Sequence, residues 1–148
     1  PGLDIALING ADETGLAALF PADLPVVSGT LQPNQSVIDD LGEVPLLGFA
    51  GIGRPERFFA TVRRAGGNLV HALAFADHHL YSQHDLIRLQ EDAGRFGAQL
   101  ITTQKDWIRL PTEWREHITW LPVSVEVADD AVLKDTILAA IAAKRGTD

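Results

Sequence analysis

The sequence contains no cysteine and no methionine. The first absence excludes disulfides and thiolate chemistry, and it fits a reducing compartment. The second, with proline at position 1, leads us to expect a piece cut from a longer protein. Long hydrophobic runs are also missing. The longest, such as "LVHALAFA", fall well short of the roughly 20 residues that a membrane-crossing helix needs. Positive charge is scarce: 12 Lys and Arg stand against 20 Asp and Glu, a formal charge of −8. An acidic domain is a poor general binder of nucleic acid, so no nucleic-acid partner is expected.

What remains is the composition of a soluble globular domain. Apolar residues make up 46% of 148 positions, and that length is enough for one domain with a sizeable core. We therefore expect a single α/β domain over residues 1–148, with a hinge or insertion at 32–43. Strand-length apolar runs alternate with helical periods. "LDIALING" and "PVVSGTLQP" read as strands, "ADETGLAALF" as a short helical or irregular stretch, and "NQSVIDDLGE" as a loop with some helix. "VPLLGFAGIG" is a continuous apolar run, the pattern of a strand buried on both faces. In "RPERFFATVRRAGG", Phe58, Val62 and Ala65 recur at helical spacing and Gly66-Gly67 stops the helix. "NLVHALAF" reads as another buried strand. Ser82 resembles an N-cap with Asp85 at the third position. Leu86, Leu89, Ala93 and Phe96 then form a stripe that Gly97 closes. "AQLITT" is a strand, "ITWLPVSVEV" a late strand bent or at an edge because of Pro122, and Leu133, Ile137, Ala140 and Ile141 mark a last amphipathic helix. This order predicts a mainly parallel sheet with helices on both faces, a three-layer α/β/α arrangement.

Sites in open parallel sheets form beyond the carboxyl ends of the strands. Three unusual stretches fall there. In "GIGRP", Gly51 and Gly53 allow close backbone approach, and Arg54 and Arg57 are the nearest cations. The stretch lacks the third glycine of a dinucleotide fingerprint and is not a phosphate loop; a tight strand-to-helix turn with Pro55 at the first helical position is the plainer alternative. In "ADHHLYS", Asp77 would orient an imidazole, and His78 or His79 would assist a general base or contact a phosphate. Adjacent residues point in different directions, so no metal site is predicted, and a solvated helix-entry loop is the alternative. His71 reads as a core or edge residue and His84 as solvated, while His117 lies in a polar stretch and carries no signal. In "TTQKDWIRLP", Lys105 and Arg109 would hold phosphate, Arg109 as a fork and Lys105 as a point charge. Thr102 and Thr103 would cap the next turn, Trp107 and Ile108 would pack and fix it, and Asp106 joins the candidates for substrate or phosphate binding. An ordinary solvated helical turn is the competing reading.

Taken together, "FAGIGRPERFF", "FADHHLYS" and "LITTQKDWIRLP", in this order and spacing, resemble the C-terminal half of the tetraacyldisaccharide 4'-kinases, the lipid A 4'-kinases of Gram-negative bacteria. The resemblance runs from about Asp4 to about Val127. Gln104 stands where that family commonly has Glu, and Ala76 where Pro is common. The resemblance implies a P-loop-kinase-like C-terminal lobe. It also implies phosphorylation of the 4'-hydroxyl of tetraacyldisaccharide 1-phosphate at the cytoplasmic face of the inner membrane. ATP and Mg²⁺ would be bound mainly by an N-terminal half that carries the phosphate loop, the acid acting as base and a hydrophobic anchor. That half and the lipid disaccharide would be the partners. The family's catalytic histidine maps onto His78, preceded by Asp77. On this reading the 148 residues alone would not transfer phosphate.

Two other classes compete. A metal-dependent phosphoesterase also carries an Asp-His-His motif, but needs further acids at strand ends; Asp39-Asp40 and Asp129-Asp130 fall in a loop and at a helix start. A non-enzymatic interaction domain would use the same polar rim without chemistry.

Overall fold

The computed structural model describes residues 3–12 and 14–145. Pro1 and the Glu13 of "ADETGLAALF" lie outside them. In chain order come β1 (Ala6–Asn9), a 3₁₀ turn (Leu16–Leu19), β2 (Val26–Pro33), α1 (Gln35–Leu41), β3 (Leu46–Ala50), α2 (Pro55–Arg64), β4 (Leu69–Ala74) and α3 (Gln83–Phe96). Then follow β5 (Gln99–Thr103), α4 (Gln104–Trp107), α5 (Thr112–Arg115), β6 (Ile118–Leu121), β7 (Val123–Val127) and α6 (Asp130–Arg145).

The chain divides into two compact units, Pro1–Gln32 with Ser124–Asp148, and Pro33–Val123. The first holds a three-stranded sheet in the order β1-β2-β7, with β1 and β2 parallel. Val27 is buried there, while Leu7, Leu31 and Val125 are exposed. The boundary at Gln32 and Pro33 opens the 32–43 stretch. That stretch contains α1, started by the Asn34 side chain, which accepts the Ser36 N–H at 3.1 Å.

The second unit is a four-stranded sheet in the order β4-β3-β5-β6, with every neighbouring pair parallel. β3 is buried along its whole length, as its unbroken apolar run predicts. Its residues alternate between two cores. Leu47 and Phe49 join Leu86, Leu89 and Ala93 of α3. Leu46 and Ala50 join Phe58, Phe59 and Val62 of α2 and Ile38 of α1. The period-2 alternation of a strand thus feeds two helical layers, one on each face, which is the three-layer arrangement expected. Gly97, in the left-handed conformation at φ 57°, ends α3, where the missing Cβ removes the steric penalty.

Three expectations are corrected. "NLVHALAF" reads as a buried strand, but among the described residues β4 lies at the sheet edge beside β3, and Val70 is exposed. Phe96 leaves the core side of α3 and stacks on His71 of that edge strand, with ring centroids 5.0 Å apart. "ITWLPVSVEV" is two strands rather than one: β6 belongs to the four-stranded sheet and β7 to the three-stranded one. Pro122 separates them because it has no N–H to continue a ladder.

Candidate active site

Strand order places the three polar stretches together. From β3 the chain crosses to β4 on one side, and from β5 it passes to β6 on the other. The crevice between the carboxyl ends of β3 and β5 is therefore the topological switch point of this sheet. The "GIGRP" loop follows β3, "ADHHLYS" follows β4 and α4 follows β5.

The junction is the Gly51 peptide. Its N–H donates to Asp106 Oδ2 at 3.1 Å. Its carbonyl accepts the His78 N–H at 3.0 Å and the Arg109 Nη1–H at 3.4 Å. A Cβ at Gly51 would sit 3.1 Å from Ala76 O, His79 Cβ and Tyr81 Oη alike. A side chain here would force those neighbours to give by a few tenths of an ångström. A Cβ at Gly53 would meet Asp77 alone, Oδ2 at 3.5 Å and Cγ at 3.9 Å.

Asp106 is fully buried, which the polar look of "TTQKDWIRL" did not suggest. Burying a carboxylate is costly unless it is bonded. Asp106 Oδ2 also accepts the Thr103 hydroxyl at 2.6 Å, while Thr103 Oγ1 accepts the Asp106 N–H at 3.1 Å and caps α4. Asp106 Oδ1 faces Arg109 Nη1 at 3.5 Å. Thr102, also expected as a cap, is fully buried and donates to the Phe49 carbonyl at 2.7 Å, tying β5 to β3. Trp107 packs against the core and donates to the Ile118 carbonyl at 3.0 Å. Ile108, expected to pack beside it, is exposed.

The two histidines of "ADHHLYS" part ways. His78 has φ 59°, a conformation rare for a residue other than glycine, and its side chain is 78% exposed. Its Nδ1 lies 3.1 Å from Arg109 Nη2, and its Nε2 lies 3.8 Å from Asp77 Oδ1. His79 turns inward. Its ring packs on Phe75 and Tyr81, and its Nε2 meets Asp85 Oδ2 at 3.1 Å. Asp85 completes the capping box with Ser82 that the sequence predicted. The Ser82 hydroxyl first, then the Ser82 N–H, with a smaller part from His79, hold the Asp85 carboxyl down at about 2. Tyr81, which the sequence reading passed over, is buried beside Gly51 and Asp106, without hydrogen-bond geometry to either. Burial first, and the Asp106 charge second, push its hydroxyl far above the usual tyrosine value, so it stays neutral. The sequence signal for it is the chain's single tyrosine, two residues after the histidine pair.

Arg54, Arg57 and Lys105 are exposed, and Arg54 directly precedes α2. His84 is exposed, as expected, and so is His117. The rim thus combines an imidazole, a fixed guanidinium and free cations, which suits an anion. Among the described residues no group of three or more His, Asp or Glu is placed to hold a metal ion. A separate depression of about 650 Å³ lies within the other unit, lined by Gly10, Asp12, Gly29 and Glu126 among others. Its Asp12 is already committed to the Leu16 and Ala17 N–H groups.

A doubly covered parallel sheet with polar side chains gathered at the switch point defines an α/β protein, of the class whose ligands bind beyond the carboxyl ends of the strands. Residues 3–142 match the family model described as tetraacyldisaccharide-1-P 4'-kinase, and the chain belongs to that family. A tetraacyldisaccharide 4'-kinase of Methylobacterium nodulans is 41% identical over 145 residues, covering 95% of this chain and 42% of the relative. One from Rhodospirillum centenum is 42% identical over 119 residues, covering 80% of this chain and 35% of the relative. The crystal structure of LpxK from Aquifex aeolicus in complex with ATP matches with a TM-score of 0.57 at 23% identity, covering 81% of this chain and 38% of that one. This likeness shows the fold. The chain spans about two-fifths of the length of the curated relatives it matches.

Proposed function

We propose that the protein carrying this chain is an ATP-dependent kinase that phosphorylates the 4'-hydroxyl of tetraacyldisaccharide 1-phosphate in lipid A biosynthesis. This chain would form the lobe that meets the sugar hydroxyl. Family membership supports the reaction class. The observation that carries the site is the meeting of His78 and Arg109 on the Gly51 carbonyl at the switch point.

Phosphoryl transfer needs positioning and charge compensation more than covalent chemistry. His78, exposed at the rim, would orient the attacking hydroxyl together with an acid from the remainder of the protein. Asp77 would steady its loop. Lys105, Arg54 and Arg57 are free to meet phosphate oxygens, with Arg109 partly committed to the rim itself. The nucleotide supplies the transferred phosphoryl group when bound. The chain contains no phosphate loop, so the nucleotide and Mg²⁺ would be held mainly by residues outside it. The proposed place of work is the cytoplasmic face of the inner membrane; no helix among the described residues is long and apolar enough to cross a membrane.

A transfer assay with Mg-ATP and the acceptor lipid tests the reading. The protein carrying this chain should turn over, and the 148 residues alone should not. His78→Ala should lower kcat by about 10² to 10⁴. Full activity after alanine substitution at His78, Lys105 and Arg109 together would favour an interaction domain instead.

A further inference from the structure

We infer that Arg109, anchored by the buried Asp106 carboxylate, is a positioning residue that fixes the tautomer of His78, with Nδ1 as acceptor and Nε2 as the proton-bearing nitrogen offered to substrate. A guanidinium has donors only. At 3.1 Å from Arg109 Nη2, His78 Nδ1 therefore carries a lone pair rather than a proton. In the neutral ring the proton then sits on Nε2, the nitrogen nearer the Asp77 carboxylate at 3.8 Å. That distance is too long for a hydrogen bond, yet the charge favours the same tautomer. Two neighbours on opposite sides of the ring thus select one state.

The arrangement is fixed from below. Arg109 is held by Asp106 Oδ1 and the Gly51 carbonyl. Asp106 is held in turn by Gly51 and Thr103. Gly51 also holds the His78 N–H and so supports its φ of 59°. A residue kept in a sparsely populated conformation persists because its surroundings over-determine it. Flipping the ring would place a carbon against Arg109 and forfeit the bond. His78 accordingly acts by donating a hydrogen bond through Nε2 to an oxygen of the substrate or of an acid beside it. It does not act by taking a proton at Nδ1. The link to turnover rests on the kinase reading above; the tautomer does not.

The test has two arms on the intact protein carrying this chain. In the first, histidine is labelled with ¹⁵N and long-range ¹⁵N–¹H spectra are recorded near pH 9, above the ordinary imidazole range. The His78 signals are assigned by their loss in His78→Asn. Nδ1 should read as unprotonated and hydrogen-bonded. Arg109→Gln should move the Nδ1 signal toward that of a free acceptor nitrogen, while the signals of exposed His84 and His117 stay in place. Arg109→Lys, which keeps the charge and much of the stem, serves as second variant should Arg109→Gln fold poorly. A ring protonated mainly on Nδ1, or an Nδ1 signal unmoved in both variants, overturns the inference. This arm needs no turnover, so failure of the kinase reading leaves it intact. In the second arm kcat is measured in a double-mutant cycle. Adding Arg109→Gln to His78→Asn should cost no more than about threefold beyond His78→Asn alone, because coupled residues are not additive. Fully multiplied losses would mean that Arg109 acts on the substrate directly, and would overturn the positioning role.

Discussion

The Asp106 carboxylate accepts the Gly51 N–H at 3.1 Å and so joins two strand ends that are 55 positions apart in sequence. The same carboxylate accepts the Thr103 hydroxyl and faces Arg109. Asp106→Ala would leave the Gly51 N–H without its acceptor and free the Thr103 hydroxyl and Arg109. The expected loss is about 3 kcal/mol, given a buried charged acceptor with several donors. Asp106→Asn keeps one acceptor oxygen and should lose less. Urea unfolding of both variants measures this, and a loss below about 1 kcal/mol for Asp106→Ala would show that the contact does not tie the rim together.

Gly51 and Gly53 look alike in "GIGRP" but should respond differently to alanine. At Gly51 the new Cβ meets three atoms at 3.1 Å, one of them a backbone carbonyl oxygen. Overpacking of this kind costs about 1–3 kcal/mol. Backbone strain plays no part, since Gly51 lies outside the left-handed region. At Gly53 the Cβ would make an ordinary 3.5 Å contact with Asp77. Gly53→Ala should therefore melt close to the parent while Gly51→Ala melts lower. Equal melting temperatures would contradict the crowding argument.

Local signals in the sequence were legible where one short stretch carries all the partners. The Ser82–Asp85 capping box, the Gly97 stop and the apolar run of β3 are such cases, since each is decided within a few residues. The strand ends that carry Gly51, His78 and Lys105 followed from the same alternation. What the sequence concealed is set by tertiary context. Asp106 reads as one more charge in a polar turn; Thr103 and Arg109 stand three positions away on either side, but nothing local says that the Gly51 N–H from another strand end joins them. β4 is as apolar as a central strand, and only the strand order puts it at an edge. Pro122 announces a break but not that the halves join different sheets. His78 and His79 are chemically identical in the string, and a left-handed φ at the first sends the second inward.

The capping box has a pH signature. Asp85 is lowered from 3.8 to about 2, chiefly by the Ser82 hydroxyl and N–H, with His79 contributing less. A depressed carboxyl contributes stability that is fully present above its unfolded value and is lost as pH falls through the folded one. Asp85→Asn should therefore be less stable than the parent at neutral pH, with the gap closing between about pH 4 and pH 2. Because Asp85 is partly solvated, the gap should be modest. Thermal melts of both proteins across that range check it; a gap that stays constant down to the acid end would assign the stability to something other than the Asp85 charge.

His78 and His79 should separate activity from stability. His79 is part-buried, packed against the Phe75 ring and edge-to-face with Tyr81, and bonded to Asp85. His79→Ala removes those contacts and should cost about 1–3 kcal/mol, within the usual range for a packed side chain. Its effect on kcat at a temperature where it is folded should be small. His78 is exposed and holds φ 59°, a region that asparagine tolerates better than most residues. His78→Asn should therefore melt at or above the parent temperature while kcat falls by about 10² to 10⁴, the usual worth of a positioned acid–base or donor group. A rise in stability with a loss of turnover is the mark of a residue kept in a costly conformation for its chemistry. If instead His78→Asn unfolds the protein with turnover per folded molecule unchanged, the strained backbone serves the loop alone. The catalytic role would then have to move to another rim residue.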